Sequence, residues 1–160
     1  MRRLLGATLA AMLLVVSPAA ARTVAPAAGD FTVTVLQVTP QPTASGDCLI
    51  KLTATFSFTG TLHGAFTAPF TILHEGACPP ATGAEAFLAS GTFVGDVTIG
   101  TRTRTGQFDF VFSGTIDEAG NARGVLVVLS GSGGLRGLRG ALELRGVSGV
   151  GGTYSGALTL

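Results

Sequence analysis

The chain predicts an all-β fold of about eight antiparallel strands, closed as a sandwich or a barrel. Three observations carry this. Apolar residues alternate with period two: Ala54, Phe56 and Phe58 fall on one face, and Thr53, Thr55, Ser57 and Thr59 on the other. Clusters of Gly, Pro, Asn and Asp interrupt such runs at regular intervals. Downstream of residue 21, no stretch shows a convincing helical pattern.

Met1 to Ala21 reads as a secretory signal peptide. Arg2 and Arg3 precede the apolar run from Leu4 to Val16, Ser17-Pro18 breaks it, and Ala19-Ala20-Ala21 is a small-residue cleavage site. The run is short for a membrane span, and no cysteine lies nearby to take a lipid. The mature chain is expected to begin near Arg22 and to be secreted. Residues 22–47 form an N-terminal segment with the first strand and a Pro-rich connector, and residues 48–160 the remainder of one domain.

Along the mature chain, Arg22 to Asp30 is Ala/Pro-rich and reads as loose, and Phe31 to Val38 is the first strand. Thr39 to Asp47 is a connector by its Pro, Ser and Gly content. Strands follow at Leu49 to Phe58 and at Ala65 to His74, joined by a turn from Gly60 to Gly64. Pro69 inside the latter strand calls for an edge or a bulge, because proline has no N–H for a ladder. Glu85 to Ile99 holds a long strand, with Phe87, Phe93, Val97 and Ile99 in phase. After a turn from Gly100 to Gly106, Gln107 to Ile116 alternates again, and Asp117 to Asn121 is the next turn. Gly124 to Leu129 is continuously apolar, as a strand covered on both faces would be. Ala141 to Val147 and Thr153 to Leu160 complete the set.

The stretch from Ser130 to Leu144, SGSGGLRGLRGALEL, lies between two of these strands. It lacks the Gly-Lys-Ser/Thr ending of a phosphate loop, and Arg136 stands where a dinucleotide fingerprint needs its third glycine. Leu135 and Leu138 are three apart, a turn spacing, so both can tuck inward while Arg136 and Arg139 stay in water. The glycines then mark a tight corner.

This stretch also resembles something known. Gly131-Ser-Gly-Gly-Leu135-Arg-Gly-Leu138-Arg-Gly140, followed by a short strand, is similar to the late hairpin of the allene-oxide-cyclase-like β-barrels. That superfamily includes plant dirigent proteins and a bacterial family of unknown function. Gly91-Thr-Phe93-Val-Gly95-Asp96-Val97 resembles the Phe-x-Gly-Asp strand of the bacterial members. The likeness spans about Lys51 to Leu160 and implies a single barrel, beginning near residue 31. It transfers no site. The polar cluster of the plant cyclases needs Glu and Asn near the barrel start, and the first strand has neither.

Composition excludes several classes. Without Arg2 and Arg3, eight basic residues face nine acidic ones, which is no electrostatic footprint for nucleic acid or an anionic membrane. With no Trp and one Tyr, the aromatic girdles of a membrane barrel cannot be built. No sequence motif calls for a metal or a cofactor. Cys48 and Cys78, the only cysteines, are expected to form a disulfide in an exported chain. Closing about 30 residues is worth roughly 3–4 kcal/mol in the chain-entropy model.

Few residues point to chemistry. His74 and Glu85 flank one loop and would meet if their strands form a hairpin, either as an acid/base pair or as solvated strand ends. His63 falls in a turn. Asp109 points away from Phe108 and Phe110. The in-phase aromatics Phe56, Phe58, Phe70, Phe93, Phe108, Phe110 and Tyr154 are the expected ligand-lining set, with a structural hydrogen bond as the other role for Tyr154. The expectation is a secreted β-barrel that binds an apolar small molecule in a lumen of about 300 Å³ or more. A cyclase-like or stereo-controlling enzyme and a structural exoprotein are the alternatives. Homo-oligomerisation through the outer face is left open.

Overall fold

The computed structural model describes residues 24–78 and 84–160. The expected signal peptide therefore lies outside the described residues. Eight strands close into one antiparallel barrel in sequence order: β1 (Val24–Pro42), β2 (Cys48–Gly60), β3 (Leu62–His74), β4 (Glu85–Ile99), β5 (Arg102–Ile116), β6 (Asn121–Gly133), β7 (Arg139–Val147) and β8 (Gly151–Thr159). β1 pairs with β8 from Val24↔Thr159 to Thr32↔Gly151, which closes the ring.

Each strand turns one side inward, and the interior is aromatic. All ten phenylalanines of the chain are buried. Their rings pack in close pairs: Phe93 on Phe108 at 4.7 Å, Phe66 on Phe110 at 4.4 Å, Phe56 on Phe66 at 4.8 Å and Phe87 on Phe112 at 4.9 Å. Burying a phenylalanine stabilises by about 1.5–3 kcal/mol, and paired rings add about 0.5–1.5 kcal/mol.

The two ends differ. At one end, the Gly-Leu-Arg stretch between β6 and β7 folds over the opening. Leu135 and Leu138 are completely buried, and Arg136 and Arg139 stand in solvent. The corner is held by Leu138 N–H to Leu135 O at 2.9 Å and Gly134 N–H to Thr105 O at 3.0 Å. Gly137 and Gly140 both have positive φ, of 89° and 143°. The same end is pinned by Tyr154. Its hydroxyl accepts from Leu62 N–H at 2.7 Å and donates to Thr59 O at 3.0 Å, tying β8 to the β2–β3 turn. Burial, more than any other influence, raises the phenol's pKa, so it stays neutral.

Several elements depart from expectation. β1 starts at Val24 and runs to Pro42, so Val24 to Asp30 of the loose stretch and Thr39 to Pro42 of the connector are strand; pairing with β8 and β2 overrides the Ala/Pro composition. The turns at 60–64 and 100–106 shrink to Thr61 and to Gly100-Thr101, which leaves His63 on the outer face of β3. β6 is not covered on both faces: Val125, Val127 and Leu129 are exposed. Pro69 sits where the β3–β4 ladder is interrupted, between Ala65↔Val94 and Phe70↔Ala89, so its missing N–H costs no cross-strand bond there.

Two stability predictions follow from the sealed end. A Cβ at Gly140 would run into the Ala157 carbonyl and Leu158, whereas one at Gly137 meets open space. Gly137→Ala should therefore cost about 1 kcal/mol from backbone strain alone, Gly140→Ala distinctly more, and Arg136→Ala under about 0.5 kcal/mol, as read by urea melts. Tyr154→Phe should cost about 1–3 kcal/mol in the same assay, because it strands the buried Leu62 N–H.

Candidate functional site

The opposite end is not sealed. Four connections meet there: residues 43–47, residues 75–84, of which 79–83 lie outside the described residues, and the short turns from Asp117 to Gly120 and from Ser148 to Val150. Beneath them lies an apolar cavity of about 110 Å³. Phe56, Phe70, Phe87 and Phe112 form its floor and side, with Leu52, Ala54, Ile72 and Leu144. Val33 and Val35 of β1 line the mouth, and beside them stand Val147 at the end of β7 and Ser148 and Gly149 of the turn that follows. The turn is held there by Val33 N–H to Val150 O at 3.0 Å and Ser148 N–H to Gly120 O at 2.9 Å.

Of the aromatics expected to line a lumen, Phe56 and Phe70 do so. Phe58, Phe93, Phe108, Phe110 and Tyr154 do not; they pack in the other part of the barrel, with Leu62, Leu135 and Leu138. Alternation tells which face a side chain is on, but not how far along the barrel it lies. Phe31, Phe87 and Phe112 were missing from the expected set and belong to the wall. Their signal was present in the phase of their strands. The volume is also below the expected 300 Å³, because the phenylalanine rings occupy most of the interior.

His74 and Glu85 do meet. They are register partners across β3 and β4, and His74 Nδ1 lies 3.5 Å from Glu85 Oε1. His74 is buried, which corrects the solvated reading for that residue, and its Nδ1 makes no hydrogen bond. Cys48, opposite His74 on β2, is bonded to Cys78 with the Cα atoms 5.1 Å apart. The expected disulfide thus fastens the start of β2 to the loop after β3, over the histidine. The pair lies one step beyond Ile72 and Phe87 toward the rim, and neither residue lines the cavity. Among the described residues, no group of three His, Cys, Asp or Glu side chains is placed to hold a metal.

The remaining carboxylates face outward. Asp109 accepts from Thr92 at 2.7 Å and Ser130 at 2.8 Å, and these bonds lower its pKa. This also occupies the Ser130 hydroxyl. Arg123 and Arg145 both bind Glu143, which lowers its pKa likewise. At the open end, Asp117 caps its own turn, accepting from the Asn121 amide at 2.9 Å and the Asn121 N–H at 2.8 Å.

The Asn121 bonds hold the Asp117 carboxyl below the ordinary carboxylate range. A carboxyl depressed in the folded state contributes stability above its unfolded pKa of about 4, and the contribution is lost as pH falls through the folded value. Asp117→Ala should therefore lower Tm at neutral pH, and the gap from the parent should close as the buffer is taken from about pH 5 to about pH 2. A gap that is constant with pH would mean that charge at this turn contributes nothing.

Comparison with known proteins gives a family and no activity. A solved structure from Shewanella oneidensis MR-1, described as a protein with unknown function from the DUF3224 family, is similar in fold. It has a TM-score of 0.62 and 22% identity, with 84% of this chain and 96% of that chain covered. No curated protein matches the sequence. The family described as protein of unknown function (DUF3224) matches residues 27–155, from the start of the ring to the middle of β8, so this chain belongs to the DUF3224 family.

Proposed function

We propose that this protein is a binding module that holds one apolar group in the cavity at the open end of its barrel. The observation that carries this is the asymmetry of the interior. Leu135 and Leu138 close one end completely, while the other leaves a Phe-walled space open to solvent. An engineered apolar cavity of roughly 150 Å³ stays dry and takes up benzene. A space of about 110 Å³ with an open mouth suits a single ring or a short branched chain, and does not enclose a drug-sized molecule. Binding is favoured over catalysis because the wall is almost wholly apolar and the His74–Glu85 pair lies outside it. The allene-oxide-cyclase-like resemblance belongs to this proposal as a scaffold only. Export belongs to it too: the charged and apolar N-terminal pattern and the Cys48–Cys78 bond fit an oxidising compartment.

Toluene tests the reading. It should raise Tm and shift the ring resonances of Phe56, Phe70, Phe87 and Phe112, with a dissociation constant of about a millimolar or somewhat lower. Ala54→Leu, which fills the space, should abolish both effects while near-UV circular dichroism shows an intact fold. Absence of any shift in the parent at saturating toluene would end the proposal. Fractionation of the expressing cells with intact mass checks export: a chain that stays inside and retains Met1 to Ala21 contradicts it.

A further inference from the structure

β1 outruns its neighbour. Toward β2 it is paired as far as Pro42↔Cys48. Toward β8 the ladder stops at Thr32↔Gly151, followed by the single bond from Val33 N–H to Val150 O. Among the described residues, no strand pairs with that edge from Thr34 to Pro42. The run is exposed and uncharged, mixing Thr and Gln with Val35, Leu36 and Val38 at 41%, 59% and 55% exposure. It carries no charge from Phe31 to Gly46. Proteins blunt free edges with prolines, bulges and charged side chains. Here Pro40 and Pro42 blunt the far end and the bulge at Leu36, between Val35 and Gln37, bends the middle, but no charged side chain guards the run.

This edge borders the cavity. Val33 and Val35 are part of its wall, and the turn at Ser148 and Gly149 lies beside them, with Val33 N–H bonded to Val150 O. An unpaired strand edge and a hole sized for one bulky side chain are thus side by side. A row of N–H and C=O groups at strand spacing is matched by another extended backbone. A small apolar molecule would fill the hole and leave the edge unpaired.

We propose that the open end recognises an extended, uncharged polypeptide segment, which adds a strand to the free edge of β1 and places one aromatic or branched aliphatic side chain in the cavity. This rests on the cavity reading above and names its ligand class. In strand addition, main-chain hydrogen bonds supply affinity and side-chain pockets supply specificity. The neutral edge between Asp30 and Asp47 selects against charged segments, whose side chains would lose water there without gaining a partner.

The test uses the mature protein and the capped peptide acetyl-Thr-Val-Thr-Phe-Thr-Val-Thr-amide. Titration followed by NMR should show binding, with shifts at the backbone amides of Val35 to Thr39. Two versions of the peptide carry N-methyl groups on alternate residues, one for each edge of the strand. One version should bind at least about tenfold more weakly, and the other much as the parent. Replacing the central Phe by Gly should also weaken binding at least about tenfold. If toluene binds and the peptide does not, the cavity reading stands and this inference falls. If neither binds, both fall. Equal binding of both N-methylated versions rules out strand addition. A dimer in native mass spectrometry that Gln37→Pro dissociates would mean that a second copy covers the edge, and would overturn the proposal.

Discussion

An eight-stranded ring encloses just enough space for side chains, and here phenylalanine rings take it up. Everything else adjusts to that filling. The contacts Phe93–Phe108, Phe66–Phe110, Phe56–Phe66 and Phe87–Phe112, linked by Phe58 to Phe93 and Phe66 and by Phe56 to Phe112, join β2 to β5. β7 and β8 are shorter and supply Leu142, Leu144, Tyr154 and Leu158 against it. Near the β6–β7 connection the side chains interlock, and two leucines complete the seal. Toward the other end Phe31, Phe56, Phe70, Phe87 and Phe112 line a cavity, and the described turn from Ser148 to Val150 stands at its edge without plugging it. The cavity is the space these rings leave between them below the open mouth. It was not carved by polar or catalytic groups, which fits its lining.

Much of this architecture was legible, and the failures have physical causes. β4 was legible to its ends because glycine and acidic residues punctuate an alternating run from Glu85 to Ile99. Leu135 and Leu138 were legible as inward residues because a three-residue spacing cannot continue a strand. β1 was not. Its first residues, Val24 to Gly29, have a composition that disfavours strands, and they are strand because β8 lies beside them after more than a hundred intervening residues. No local rule sees that closure. The exposed valines of β6 failed for a related reason: a continuous apolar run implies two covered faces only where something is there to cover the second.

The site was half legible. Phe56 and Phe70 were expected beside a ligand and are there, whereas Phe58, one step of the same face farther along β2, packs toward the sealed end. Period two specifies inside against outside. Depth along the axis depends on the stagger between neighbouring strands, which long-range pairing sets. The His74–Glu85 encounter was correctly conditional on hairpin pairing, but burial of His74 under the disulfide loop needed the third dimension.

The closing pair Val24↔Thr159 has a consequence for how the molecule can be mounted. Both ends of the ring's sequence emerge at the pole that Leu135 and Leu138 plug. A tether, a fusion partner or a solid support joined at either terminus would hold the barrel by its closed pole and leave the Phe-walled mouth pointing away from the attachment. The same adjacency lets the ring be reopened elsewhere: a short linker from residue 160 back to residue 24, with new termini in the turn after Asp117, would keep all eight ladders.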